Sequence, residues 1–141
     1  MIKPLNPGLA VTAQIEPTDM TTLVASGFRT LINHRHDGES PDQPSSDTRL
    51  RTAQEAGLAY HHLPVLPGAI EDAQVLAFRQ LLASAEKPVL AFCRTGIRAI
   101  SLWALGSCDD SAPASLLHAA QAAGYDLSDL LPRLQGRQGQ R

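Results

Sequence analysis

Residues 88–92 (PVLAF) are an unbroken apolar run that ends at a cysteine, crosses the loop CRTGIR and enters AISLWAL, apolar nearly all round. A short apolar run without alternation is the pattern of a central parallel strand covered on both faces, and an all-round apolar helix is a buried one. Strand, tight loop and buried helix in direct succession confine the chain to the open α/β folds, whose ligands sit at the carboxyl ends of the strands. Cys93 stands at that edge. There the N–H groups of the loop and of the first helical turn converge on one point, and the helix dipole adds about half a positive charge. Such surroundings lower a thiol's pKa from about 8.5 to about 3.5–7.5, so Cys93 is expected to be an ionised nucleophile. Gly96 lets the loop turn tightly enough to point its amides inward. Arg98, at the helix start, is expected to fold back and offer two parallel donors to an oxyanion. Arg94 and the Thr95 hydroxyl stand on the rim, and Ile97 completes the anion-binding loop.

The rest of the chain alternates strand and helix. Residues 9–13 (LAVTA) read as a strand, and Pro17, Thr18 and Asp19 open a helix carrying Met20, Leu23 and Val24 on one face as far as Gly27. Residues 28–33 form a second strand, followed by a polar loop over 34–46, of a length at which loops tend to be functional. Asp47 caps a helix ending at Gly57, residues 58–65 (LAYHHLPV) form a third strand, and a helix spans about 70–85. After Pro113 one helix and a shorter one pack on the sheet. The expected architecture is a three-layer α/β domain with a four- to five-stranded, mainly parallel sheet. The 141 residues suit one domain, assigned to 1–134, with 135–141 as a frayed tail.

Composition narrows the function. A net charge of -2 offers no basic field for nucleic acid or an anionic membrane, so neither is expected as a partner. With no apolar run of signal-peptide or membrane-span length, the expected location is the cytoplasm. Two cysteines are too few for a disulfide framework. Cys108 lies beyond the helix that follows Cys93, which favours a core or surface role over that of a resolving thiol. His34, His36, His61 and His62 suggest a metal at first sight. His61 and His62, adjacent on a strand, point to opposite faces and cannot chelate together, and no Cys or carboxylate stands at a recognised zinc spacing. No metal and no cofactor are expected.

The strand–Cys–loop–Arg–helix unit resembles that of two families, the cysteine-dependent phosphatases of dual-specificity type and the rhodanese-type sulfurtransferases. More closely, residues 27–39 (GFRTLINHRHDGE), 57–65 (GLAYHHLPV) and 88–98 (PVLAFCRTGIR) resemble the small bacterial phosphatase-like domain called beta-lactamase hydrolase-like, or domain of unknown function 442. The resemblance implies a cysteine-phosphatase fold. It also marks Asn33, Arg35 and Glu39 on the loop after the second strand, either as substrate contacts or as a brace made of an Arg–Glu pair and a capped turn. On activity it divides, because members look like phosphatases while relatives fused to, or encoded beside, persulfide dioxygenases behave as sulfurtransferases.

Four departures from the phosphatase pattern, His-Cys-x5-Arg followed by Ser or Thr, bear on that choice. Phe92 precedes the cysteine, four residues separate Cys93 from Arg98, Ala99 follows the arginine, and no proton donor stands at Leu66, Pro67 or Gly68, where the general acid would fall. Cys-Arg-x-Gly-x-Arg is instead similar to the loop of many single-domain rhodaneses. The preferred expectation is therefore a sulfurtransferase. Cys93 would take sulfane sulfur from thiosulfate or a glutathione persulfide, hold it as a persulfide and pass it to a thiol acceptor, with a persulfide dioxygenase as partner. The alternatives are a cysteine-dependent protein phosphatase, tyrosine or dual-specificity, acting through a Cys93 phosphocysteine, and a non-catalytic anion-binding module.

Overall fold

The computed structural model describes residues 2–138. The chain runs β1 (Lys3–Asn6), β2 (Leu9–Thr12), a 3-10 turn (Pro17–Asp19), α1 (Met20–Ala25), β3 (Thr30–Asn33), α2 (Ser46–Ala56) and β4 (Ala59–His62). It continues through α3 (Asp72–Ser84), β5 (Val89–Phe92), α4 (Ile97–Gly106), α5 (Pro113–Ala122), a second 3-10 turn (Ser128–Leu130) and α6 (Leu131–Gln138). The five strands form one sheet in the order β1-β2-β5-β3-β4, parallel except for β1.

Strand alternation builds two cores. On β5, Val89 and Ala91 face one side and Leu90 and Phe92 the other, all four without solvent exposure. The first side is covered by α3, α4, α5 and α6 through residues such as Val75, Phe78, Ile100, Leu116 and Leu134; the second is covered by α1 and α2 through Met20, Leu23 and Ala53. This is the three-layer arrangement, and it leaves the carboxyl ends of β2, β5 and β3 side by side beneath the loop that follows β5.

Several local expectations need correction. β1 has no counterpart in the sequence reading: it pairs antiparallel with β2, and its Pro4 is tolerable because the strand lies at the sheet edge. The α2 cap is Ser45, whose side chain accepts the Thr48 N–H, not Asp47. β4 stops at His62, four residues long, because its partner β3 ends at Asn33. Residues 135–138, expected to fray, are helical within α6, where Arg137 Nε donates to the Leu105 carbonyl at 3.0 Å. Residues 139–141 of the expected tail lie outside the described residues.

Candidate active site

The loop between β5 and α4 bends back on the sulfur. Gly96 adopts φ +97°, which only glycine takes without strain, and its N–H donates to Cys93 Sγ at 3.0 Å. The Ile97 N–H, expected to point at the same spot, donates instead to the Thr95 hydroxyl at 3.4 Å. The sulfur is therefore served by the amide of Gly96, the residue that caps the start of α4, whose dipole also favours negative charge there. Cys93, Gly96 and Arg98 are buried, while Arg94, Thr95 and Ile97 are exposed on the rim.

Arg98 folds back from α4 as expected, but its parallel fork is already occupied. Nη1 donates to Glu39 Oε2 at 2.6 Å and Nη2 to Glu39 Oε1 at 2.9 Å, while Nη1 also reaches the Val65 carbonyl at 3.0 Å and the His34 carbonyl at 3.3 Å. The Glu39 carboxylate, and after it the Cys93 sulfur, favour the charged guanidinium, outweighing burial. In return the Arg98 hydrogen bonds, against burial and with help from Arg35 and the His36 N–H, hold the Glu39 carboxyl down at about 2. Arg35 is buried and spent on bracing: Nε donates to Glu39 Oε1 at 3.0 Å, Nη2 to Ser40 Oγ at 3.3 Å and Nη1 to Gln14 Oε1. Asn33 closes the turn, accepting the Arg35 N–H at 2.9 Å through Oδ1 and donating to the Tyr60 hydroxyl at 3.0 Å. Of the two readings of Asn33, Arg35 and Glu39, the geometry is that of the brace.

A pocket of about 440 Å³ adjoins the loop. One side is formed by Arg94, Thr95, Ile97 and Arg98, another by Pro67, Gly68 and Ile70, and a third by Asp126, Leu127, Asp129, Leu130 and Arg133. No side chain of Pro67, Gly68 or Ile70 can donate a proton. Asp126 and Asp129, which carry the carboxyls on the pocket wall, belong to the stretch after α5 and escape a reading along the sequence because only the packing of α6 brings them here.

The remaining candidates lie apart. His34 is fully buried against Phe78, with Nδ1 at 2.9 Å from the Leu63 carbonyl; burial, chiefly, lowers its pKa to about 4. His62 Nε2 meets the Arg35 carbonyl at 2.6 Å. Among the described residues no group of three or more His, Cys, Asp or Glu side chains is arranged to hold a metal ion. Cys108 is buried just past the far end of α4, a helix length of about 15 Å from the loop, with its Sγ on the Ala104 carbonyl at 3.4 Å. The Cys93 thiol is not in a disulfide. No helix among the described residues is long and apolar enough to cross a membrane.

A sulfur lodged at the head of the helix after a central parallel strand, with an arginine returning beside it, is the core of the cysteine-dependent phosphatase fold. The crystal structure of Tk-PTP matches with a TM-score of 0.79 over 99% of this chain and 97% of its own, at 16% identity, a level that carries the fold alone. Within that class, the chain belongs to the family described as beta-lactamase hydrolase-like protein, phosphatase-like domain, whose model matches residues 2–110. A candidate phosphatase from Neisseria meningitidis z2491 is 33% identical, with a TM-score of 0.88 over 96% of this chain and 97% of that one. Beta-lactamase hydrolase-like proteins of Agrobacterium fabrum (strain C58 / ATCC 33970) and Xylella fastidiosa (strain Temecula1 / ATCC 700964) are 40% and 38% identical over 106 residues, 75% of this chain. The chain spans 25% of the length of each of these relatives.

Proposed function

We propose that the domain is a cysteine-dependent phosphatase working through a Cys93 phosphocysteine. The observation that carries the reading is the Cys93 sulfur receiving the Gly96 amide at the head of α4, beside the Arg98 guanidinium, in a chain that shares its fold with phosphatases. This reverses the preference drawn from the four departures from the phosphatase pattern and the rhodanese-like loop. In the first step the thiolate attacks phosphorus, the S–P bond forms as the P–O bond to the leaving group breaks, and the departing oxygen takes a proton. In the second, water attacks phosphorus, the S–P bond breaks, and phosphate leaves as the thiolate is restored. The Gly96 N–H steadies the thiolate in both steps. The proton donor must come from the pocket wall. Ser128 holds the Asp126 carboxyl below its ordinary range, chiefly through its hydroxyl, which favours the ionised form that has no proton to give. We assign the role to Asp129.

The test is hydrolysis of para-nitrophenyl phosphate, which should occur and vanish in Cys93→Ser. Asp129→Asn should spare this activated ester and slow an alkyl phosphate by about 10²-fold or more, the range of a lost general acid.

Sulfur transfer is the second reading, favoured by one observation: both terminal nitrogens of Arg98 are engaged by Glu39, which leaves the short loop little to offer three phosphoryl oxygens. In that case Cys93 attacks the outer sulfur of thiosulfate or of a glutathione persulfide, expels sulfite or glutathione, and yields the sulfur to an acceptor thiolate, with a persulfide dioxygenase as a natural partner. Intact mass after incubation with thiosulfate separates the two. Stable gain of one sulfur atom on Cys93, passed to a thiol faster than aryl phosphate is hydrolysed, would promote this reading over the first.

A further inference from the structure

Gly96 can take either orientation of the peptide that precedes it, because its φ of +97° and the mirror conformations are open to glycine alike. Only one orientation serves the sulfur. The Thr95–Gly96 peptide is planar, so its C=O and N–H point in opposite directions. With the N–H on Cys93 Sγ at 3.0 Å, the Thr95 carbonyl must point away from the sulfur, and there it accepts the Tyr125 hydroxyl at 3.1 Å. The opposite orientation would aim a carbonyl oxygen at the thiolate.

We propose that Tyr125 is a positioning residue for the nucleophile: its hydroxyl, bonded to the Thr95 carbonyl, locks the peptide whose other end holds the Cys93 sulfur. The chain O–H···O=C–N–H···S runs through a single peptide plane, and each bond polarises the next. The ring reaches this place because residue 96 has no side chain: a Cβ there would lie 2.1 Å from the Tyr125 hydroxyl oxygen and 2.8 Å from Cζ. Burial, and then the Cys93 charge, push the Tyr125 hydroxyl up from its ordinary range, so it remains a donor at neutral pH. Tyr125 lies beyond residues 2–110, so the lock is supplied by a segment outside the part of the chain that the family model matches.

The inference rests on Cys93 as the nucleophile, and the experiment distinguishes the two. The full chain and its Tyr125→Phe variant, which keeps the ring and loses the hydroxyl, are alkylated with iodoacetamide across pH, and the Cys93 peptide is quantified by mass spectrometry. The shape of the profile reports ionisation independently of access. In wild type the rate should level off at a plateau as pH rises. In Tyr125→Phe the profile should move to higher pH, cutting the rate at about pH 6 about threefold while the plateau is kept. Superimposable profiles would overturn the role of Tyr125 and leave the nucleophile standing. A wild-type rate that rises only in the range of an ordinary thiol would remove both. Amide exchange adds a check that needs no variant: the Gly96 N–H should be protected in wild type, and rapid exchange there would show that the peptide is not locked.

Discussion

At the scale of single residues, Glu39 and His34 both make the folded state sensitive to acid, over different pH ranges. Glu39, lowered to about 2 by Arg98 first, contributes stability that is complete above its unfolded value of about 4.5 and is lost as pH falls through the folded value. His34, lowered by burial to about 4, must stay neutral, so stability drains as pH falls from about 6.5 to about 4, where the unfolded chain takes up the proton first. Acid unfolding should therefore begin near neutrality and steepen below about pH 4.5, and His34→Gln should flatten the first part of the curve while Glu39→Gln flattens the second. Denaturant midpoints measured across this range decide it. Arg98→Lys keeps the charge but cannot span both Glu39 oxygens, and should lower kcat/KM by about 10²-fold, whereas Arg94→Lys on the exposed rim should act mainly on KM.

At the scale of elements, β5 and α4 form the rigid unit and α6 the adjustable one. Leu90 has no solvent exposure in the core beneath α1 and α2, and Leu90→Ala should cost about 2–5 kcal/mol by chemical denaturation. Helix α6 is short and largely polar, and it is seated by Leu134, which has no exposure, and by the Arg137 contact to Leu105. Its ion pairs from Arg133 and Arg137 run to an exposed Asp72 and add little. Leu134→Ala should accordingly loosen α6 before the rest of the molecule. The expected readings are faster amide exchange confined to α6 and a raised KM for substrates that fill the pocket wall of Asp129, Leu130 and Arg133, with kcat for a small aryl phosphate retained.

For the molecule as a whole, the family-matched part is not the whole fold. Leu116, Ala120, Leu127 and Leu134 belong to the same buried cluster as Val89, Ile100 and Leu105. A chain ended after residue 110, the last that the family model matches, would expose that face of α4. It should lack a cooperative thermal transition and bind a hydrophobic dye, whereas the full chain should melt in one step.

What could be read from the sequence was whatever is local. The apolar run 88–92, the spacing of Cys93, Gly96 and Arg98, and the punctuation by Gly and Pro act over a few residues, where backbone preference and periodicity dominate, and they led to the α/β class, the parallel sheet and the placing of Cys93 between β5 and α4. β1 was missed because a four-residue edge strand with a proline has no pattern of its own until β2 pairs with it. The partners of the loop were hidden for a different reason. Glu39 lies 59 residues from Arg98 and Tyr125 lies 30 from Thr95. No periodicity links them. Only packing decided that the Arg98 fork closes on a carboxylate, that a tyrosine reaches the bare α-carbon of Gly96, and that Asp126 and Asp129 arrive at the pocket. Side-chain hydrogen bonds of this kind depend on distances of a few ångströms, which are set when the helices settle on the sheet and are not encoded in any short stretch of chain.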